Sequence, residues 1–123
     1  MATVGSDAHP HLVPVTFALL DDGTLVTAVD HKPKRTTALK RLANIAVNPQ
    51  VSLLVDLYSD DWSALWWARA DGVARVVGPA REPELRGLAV DALAARYEQY
   101  ARRPPTGDLI VVGVTRWSGW QAS

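Results

Sequence analysis

The chain of 123 residues contains no cysteine. Disulfides and thiolate metal sites are thereby excluded, and the composition fits a reducing compartment. Net charge is lacking too: thirteen Lys and Arg balance thirteen Asp and Glu. No overall field draws such a chain to nucleic acid or anionic lipid, so neither is expected as a partner. No apolar run approaches the roughly twenty residues that span a bilayer, and no basic start leads into a greasy secretory segment. A cytoplasmic location is expected. Gly-rich phosphate loops, nucleophile elbows and Ser-His-Asp constellations are missing as well. His9 and His11 share a strand face, but no third ligand stands at a recognisable spacing, so no metal is expected.

What is present is one domain, residues 1–123, with 48% apolar and 21% charged residues. That balance is typical of a globular protein with a real core. Two features are unevenly distributed. The stretch "HKPKRTTALKR" (31–41) collects five of the thirteen basic residues into eleven positions. The five tryptophans fall in two groups, Trp62, Trp66 and Trp67, then Trp117 and Trp120.

Along the chain, "ATVG" reads as the end of a strand. "HPHLVPVTFALL" (9–20) is rich in β-branched residues, but its prolines point to an edge or a bulge. "DDG" (21–23) is a hairpin turn signal, and "TLVTAVD" (24–30) supplies the returning strand. Ala38, Leu39, Leu42, Ile45 and Ala46 share a helical face that Asn48-Pro49 terminates. "QVSLLVDLY" (50–58) reads as a buried strand. Residues 64–78 are either one strand with a bulge at Asp71-Gly72 or a hairpin turning there. Residues 82–102 form the clearest helix, with Leu85, Leu88, Ala89, Leu93 and Tyr97 as its stripe, and 108–117 is the last strand. The order β-β-β-α-β-β-α-β argues for an antiparallel barrel.

Lys32, Lys34 and Arg35 precede a helix whose N-terminus already carries the positive end of its dipole. The segment is either a solvated charged face or, with Lys40 and Arg41 in the following turns, an anion site. Trp66 and Trp67 are adjacent on a strand and point to opposite faces. At most one enters a barrel interior, and the other meets a subunit, a helix or a flat ligand.

"ATVGSDAHPHLVPVTFAL", "TAVDHKPKRTTALKRLANIAVNPQVSLLVD" and "WWARADGVARVVG" together resemble the pyridoxamine-5′-phosphate-oxidase-like split-barrel family, in particular its actinobacterial deazaflavin (coenzyme F-420) or FMN branch. The resemblance implies a mainly β fold with two helices, a six-stranded antiparallel split barrel of the FMN-binding type that forms a homodimer. A flavin-like cofactor would lie in each of two clefts between subunits. By resemblance, Lys40 and Arg41 grip the phosphate, and Lys34 and Arg35 meet the acidic tail of a deazaflavin. Val13, Pro14, Val15 and Thr16 run along the ring, Asp30 ends the neighbouring strand beside it, and Trp67 reaches it from across the dimer. The bulge at Asp71-Gly72 is favoured over the hairpin.

The chain departs from the family in starting directly within the first strand and in lacking the C-terminal extension of the true oxidases, whose activity is not carried over. The expected function is hydride transfer between reduced coenzyme F-420 and a small organic substrate. An FMN enzyme or a non-catalytic flavin-, deazaflavin- or haem-binding module are the alternatives. No side chain stands out as a general acid or base.

Overall fold

The structure, a computed structural model, describes residues 1–29 and 35–122, with residues 35–39 as backbone alone. Seven strands are formed: β1 (Ala2–Val4), β2 (Pro10–Leu12), β3 (Ala18–Leu19), β4 (Leu25–Ala28), β5 (Gln50–Leu57), β6 (Trp66–Val77) and β7 (Leu109–Gln121). The helices are α1 (Arg35–Val47), α2 (Pro83–Arg96) and α3 (Glu98–Arg102), with a 3-10 turn at Trp62–Ala64. The strands pair antiparallel throughout, in the order β2-β1-β5-β6-β7-β4-β3.

The strand order forces the sheet to roll up. β2 and β3 occupy opposite edges yet are joined by only Val13 to Phe17. Six Cα steps from Leu12 to Ala18 reach at most about 21 Å. Six inter-strand spacings laid flat would need about 29 Å. The edges must therefore curl toward each other, which makes the sheet a barrel with a seam where β2 and β3 do not pair.

Six strands were expected, and seven are found among the described residues. Pro14 accounts for the difference, because a residue without an N–H cannot continue a ladder, whereas Pro10 is the first residue of β2. The 9–20 segment is consequently cut into two short edge strands. At the DDG turn, Gly23 takes a positive φ of 88°, and the Leu20 N–H reaches the Thr24 carbonyl at 2.8 Å. Two helices were expected and three are found among the described residues, because the 82–102 helix breaks at Tyr97, whose backbone is extended (φ −122°, ψ 121°). Its stripe is also shifted. Ala89, Leu93 and Tyr100 are buried, whereas Leu88 is 61% exposed.

Residues 66–77 form a single strand, as the bulge reading requires. The register slips at Asp71-Gly72: Asp71 faces Arg116 and Gly72 faces Val114. The extra residue, Thr115, belongs to the facing strand, and its hydroxyl donates to the Asp71 carbonyl at 3.1 Å. Such a bulge bends and twists the pair locally.

Two apolar clusters hold the domain. Inside the barrel, Leu25, Val51, Leu53, Ala70, Ala74, Ile110 and Val112 pack with Ile45 of α1. Outside it, α2 and α3 bury Ala89, Leu93 and Tyr100 on Val26, Ala28, Leu109 and Val111. β4 is buried at all four positions because it separates the two clusters.

Two glycine substitutions separate close approach from helix propensity. A Cβ on Gly72 would lie 2.4 Å from the Gly113 carbonyl oxygen, a backbone atom pinned in the sheet, whereas one on Gly87 of α2 meets nothing within 4 Å. Gly72→Ala is expected to cost about 1–3 kcal/mol or more, and Gly87→Ala to stabilise by about 0.5–1 kcal/mol. Urea denaturation of both variants checks the pair. Equal effects would show that the bulge region adapts freely.

Candidate functional site

Lys40 and Arg41 are neighbours in sequence but about 100° apart around α1. Lys40 is exposed and its Nζ lies 3.3 Å from Asp7 Oδ2. An exposed pair of this kind contributes little to stability, because water screens it. The Asp7 carboxyl sits below its usual range, first because it accepts the His9 N–H and then because it accepts from Lys40. Arg41 turns inward and is only 8% exposed. Its Nε is buried with no hydrogen-bond partner among the described residues, and it takes part in no ion pair among them.

Burial pushes the Arg41 guanidinium pKa down, though an arginine remains protonated at any ordinary pH. A buried cation without an anion is costly unless something negative joins it. The same face of α1 carries Asn44, whose Nδ2 donates to the buried Thr3 hydroxyl at 3.1 Å. The apolar stripe expected from sequence is thus partly polar: Arg41, Asn44 and Ile45 are buried, and Ala46 is exposed.

Arg41 also lies near the start of the segment that bridges the barrel seam. It is close enough to the Met1 amine to lower that group's pKa, second to burial itself. Met1 in turn exchanges two backbone bonds with Val13, at 2.7 and 3.1 Å. Val13 and Val15 are half-buried, and Pro14 and Thr16 are exposed. No ladder takes up this stretch.

Trp67 is placed elsewhere. It pairs across the sheet with Trp120 on one side and Asp56 on the other, so all three share one face. The Arg69 guanidinium carbon lies 5.8 Å from the centroid of the Trp67 ring. Leu54, Asp56, Trp67 and Arg69 line a shallow hollow of about 210 Å³. On the same face the Ser52 hydroxyl donates to Asp71, and Arg69 Nε donates to the other Asp71 oxygen at 3.1 Å. The Asp71 carboxyl is held below its usual value by Ser52 first, then by Arg69 and Arg116. Stability from this group is present above the unfolded carboxylate value, near pH 4, and is lost as pH falls through the lowered folded value.

Trp66 has the strand parity of the barrel interior but lies beyond the barrel's end, 40% exposed. Neither adjacent tryptophan is in the interior. With Trp117 at 55% and Trp120 at 50% exposed, the ends of β5, β6 and β7 form a ribbon with open aromatic faces.

The structure therefore turns Arg41 inward, within electrostatic range of the Met1 amine that bonds Val13, and sets Lys40 on an adjacent, exposed face. It does not bring Trp67 to either within one chain. Asp30, Lys34 and the Arg35 side chain lie outside the described residues. Sequence reasoning missed the Ser52–Asp71–Arg69 cluster, since serine and aspartate nineteen residues apart carry no pattern. It also took Tyr97 only as a stripe residue. Among the described residues no cluster of three His, Asp or Glu side chains could hold a metal, and no helix is long and apolar enough to cross a membrane.

The profile of the pyridoxamine 5′-phosphate oxidase family matches residues 1–121. No curated protein sequence matches the chain. Among solved structures it is similar to a conserved hypothetical protein from Mycobacterium tuberculosis, with 23% identity over 98% of this chain and 74% of that one and a TM-score of 0.68. It is also similar to HutZ, a haem storage protein from Vibrio cholerae, with 18% identity over 98% and 82% and a TM-score of 0.69. A third is an FAD binding protein from Mycobacterium smegmatis, with 22% identity over 97% and 81% and a TM-score of 0.59. At these identities the likeness carries the fold, a split barrel, and nothing finer.

Replacing Arg41 by Met tests whether the guanidinium is there for the fold. A flexible apolar chain of similar length fills the space without a buried charge. Arg41→Met is expected to leave ligand-free stability unchanged or to raise it by about 1–2 kcal/mol. A loss of more than about 1 kcal/mol in urea denaturation would make Arg41 a structural residue.

Proposed function

This chain belongs to the pyridoxamine 5′-phosphate oxidase family, and from that premise we propose that it is an oxidoreductase working with reduced deazaflavin, coenzyme F-420, on a small organic substrate. One observation carries the reading: the Arg41 side chain is buried without an anionic partner among the described residues, on the side of the helix within electrostatic range of the Met1 amine that anchors the bridging segment. A phosphate would supply the missing negative charge through charge-assisted hydrogen bonds. Lys40 on the adjacent helix face adds a second cation, released from the exposed Asp7 pair at little cost.

The residues fit such a group in kind. Arg41 and Lys40 would hold its phosphate, and Val13, Pro14, Val15 and Thr16 would run along its ring. Asp30 would stand near the same ring, and Lys34 and Arg35 would meet an acidic tail. When bound, the reduced deazaflavin supplies the hydride. The chain's own part is to fix the ring's orientation and to keep water from one side of it. The open aromatic ribbon with Trp66, Trp117 and Trp120 supports a homodimer, since exposed apolar patches of this extent mark interaction surfaces. In such a dimer Trp67 would reach the partner's cofactor. FMN in place of deazaflavin is the nearest alternative. A non-catalytic binder is the second reading, favoured by the likeness to a haem storage protein.

Parallel titration with coenzyme F-420, FMN and haem decides among these. Deazaflavin is expected to bind more tightly than FMN, with an advantage that shrinks as salt rises, because exposed charges are screened over about 10 Å at 0.1 M. Replacing Lys40 and Arg41 by Ala is expected to weaken both by on the order of a hundredfold. Replacing Lys34 and Arg35 is expected to weaken deazaflavin alone. Tighter FMN binding would overturn the deazaflavin assignment, and tight haem binding without turnover of any reducible acceptor would favour the module.

Sedimentation of the free protein at micromolar concentration is expected to give a dimer. A monomer there would remove the intersubunit cleft on which the role of Trp67 depends.

A further inference from the structure

The bridging segment is suspended from two points. At its start Val13 is bonded to Met1 in both directions. At its end a single phenol, Tyr97, serves both backbone groups of Phe17. Its oxygen accepts the Phe17 N–H at 3.1 Å, and its O–H donates to the Phe17 carbonyl at 3.0 Å. Between these points, Pro14, Val15 and Thr16 have no backbone hydrogen-bond partner among the described residues. Nothing in the sheet fixes their position.

Tyr97 is well placed to set it. It is the residue at which the long helix breaks, and the break turns it out of the helical path between α2 and α3. Its ring meets Tyr100 edge to face, with centroids 5.9 Å apart. The Tyr100 hydroxyl lies 3.3 Å from Thr16 Oγ1. Arg96 donates to the same Phe17 carbonyl at 2.8 Å and stacks on the Phe17 ring at 4.3 Å. Three side chains from one helix junction thus grip the last residue of the open stretch, Thr16, through its hydroxyl, and the residue after it, Phe17, through its backbone. A tie needed only to fasten α2 to the barrel is already provided by Ala89 and Leu93 in the outer core.

We infer that Tyr97 is a positioning residue: its hydroxyl fixes the Val13–Thr16 backbone in the place where a cofactor ring would lie against it. The inference rests on the cofactor reading above. Removing the hydroxyl leaves ring packing in place but takes away the acceptor of the Phe17 N–H and one of the two donors to its carbonyl, so the far end of the segment is held by Arg96 and Tyr100 alone. The ring of the cofactor then loses a prearranged surface, whereas its phosphate does not.

The test uses the full chain with Tyr97→Phe, and Tyr100→Phe as a milder companion. The probes are coenzyme F-420 and phosphate-free deazariboflavin. Tyr97→Phe is expected to lower affinity for both about tenfold, because the shared part is the ring, and Tyr100→Phe to lower it less. Arg41→Met, in contrast, weakens only the phosphate-bearing probe. Amide exchange in the ligand-free Tyr97→Phe protein is expected to quicken at Val15 to Phe17 and to stay unchanged in β5, β6 and β7. Equal affinity in the wild type and Tyr97→Phe overturns the inference while leaving the cofactor reading intact. Exchange quickened throughout the barrel also overturns it, since the tie would then be structural. Wild-type protein that binds neither probe overturns the cofactor reading itself, and the positioning role with it.

Discussion

Everything in this domain hangs on the short reach of the chain between β2 and β3. Five residues cannot cross a flat seven-stranded sheet, so the edges must approach each other and the sheet must close. Closure creates an interior, which Leu25, Val51, Leu53, Ile110 and Val112 fill. It also leaves a seam, because Pro14, between β2 and β3, has no N–H to give a ladder. The seam is where irregular backbone meets helix α1 and its cations.

Backbone that is not taken up by a sheet must be satisfied in other ways. Here Met1 takes one end of the bridge and the α2–α3 junction takes the other. The cost of this arrangement shows in the helix, which gives up continuity at Tyr97. What the fold gains is a stretch of fixed main chain with free polar groups, next to a buried guanidinium that has no anion among the described residues. Both features are unfavourable for stability alone, and both are what the proposed cofactor site would require.

The far ends of β5, β6 and β7 obey a different logic. They extend past the barrel, so neither face of the ribbon has a core to cover, yet the ribbon carries Trp66, Trp117 and Trp120. Tryptophan left open on a β-ribbon is what the proposed homodimer would cover. The charged cluster of Ser52, Asp71 and Arg69 lies on the outer face of the barrel wall, where β5 and β6 still cover the core, beside the Thr115 bulge.

The alternation of β-branched strands, the DDG turn and the Asn48-Pro49 stop are local signals, and the sequence by itself determined the antiparallel order from them, whereas the choice of one long strand over a hairpin at Asp71-Gly72 came from the family resemblance. Local signals were enough because a turn or a proline acts within a few residues. The resemblance to a split-barrel family likewise placed Arg41 among the residues of interest. Only the tertiary structure decided that Arg41 turns inward while Lys40 does not, since both fit an amphipathic helix until the packing partner is known. It alone decided that residues 82–102 break at Tyr97. No proline or glycine marks that point; the break answers to a backbone amide eighty residues earlier in the chain. Contacts of that range carry no periodicity, so they become visible only once the barrel has closed.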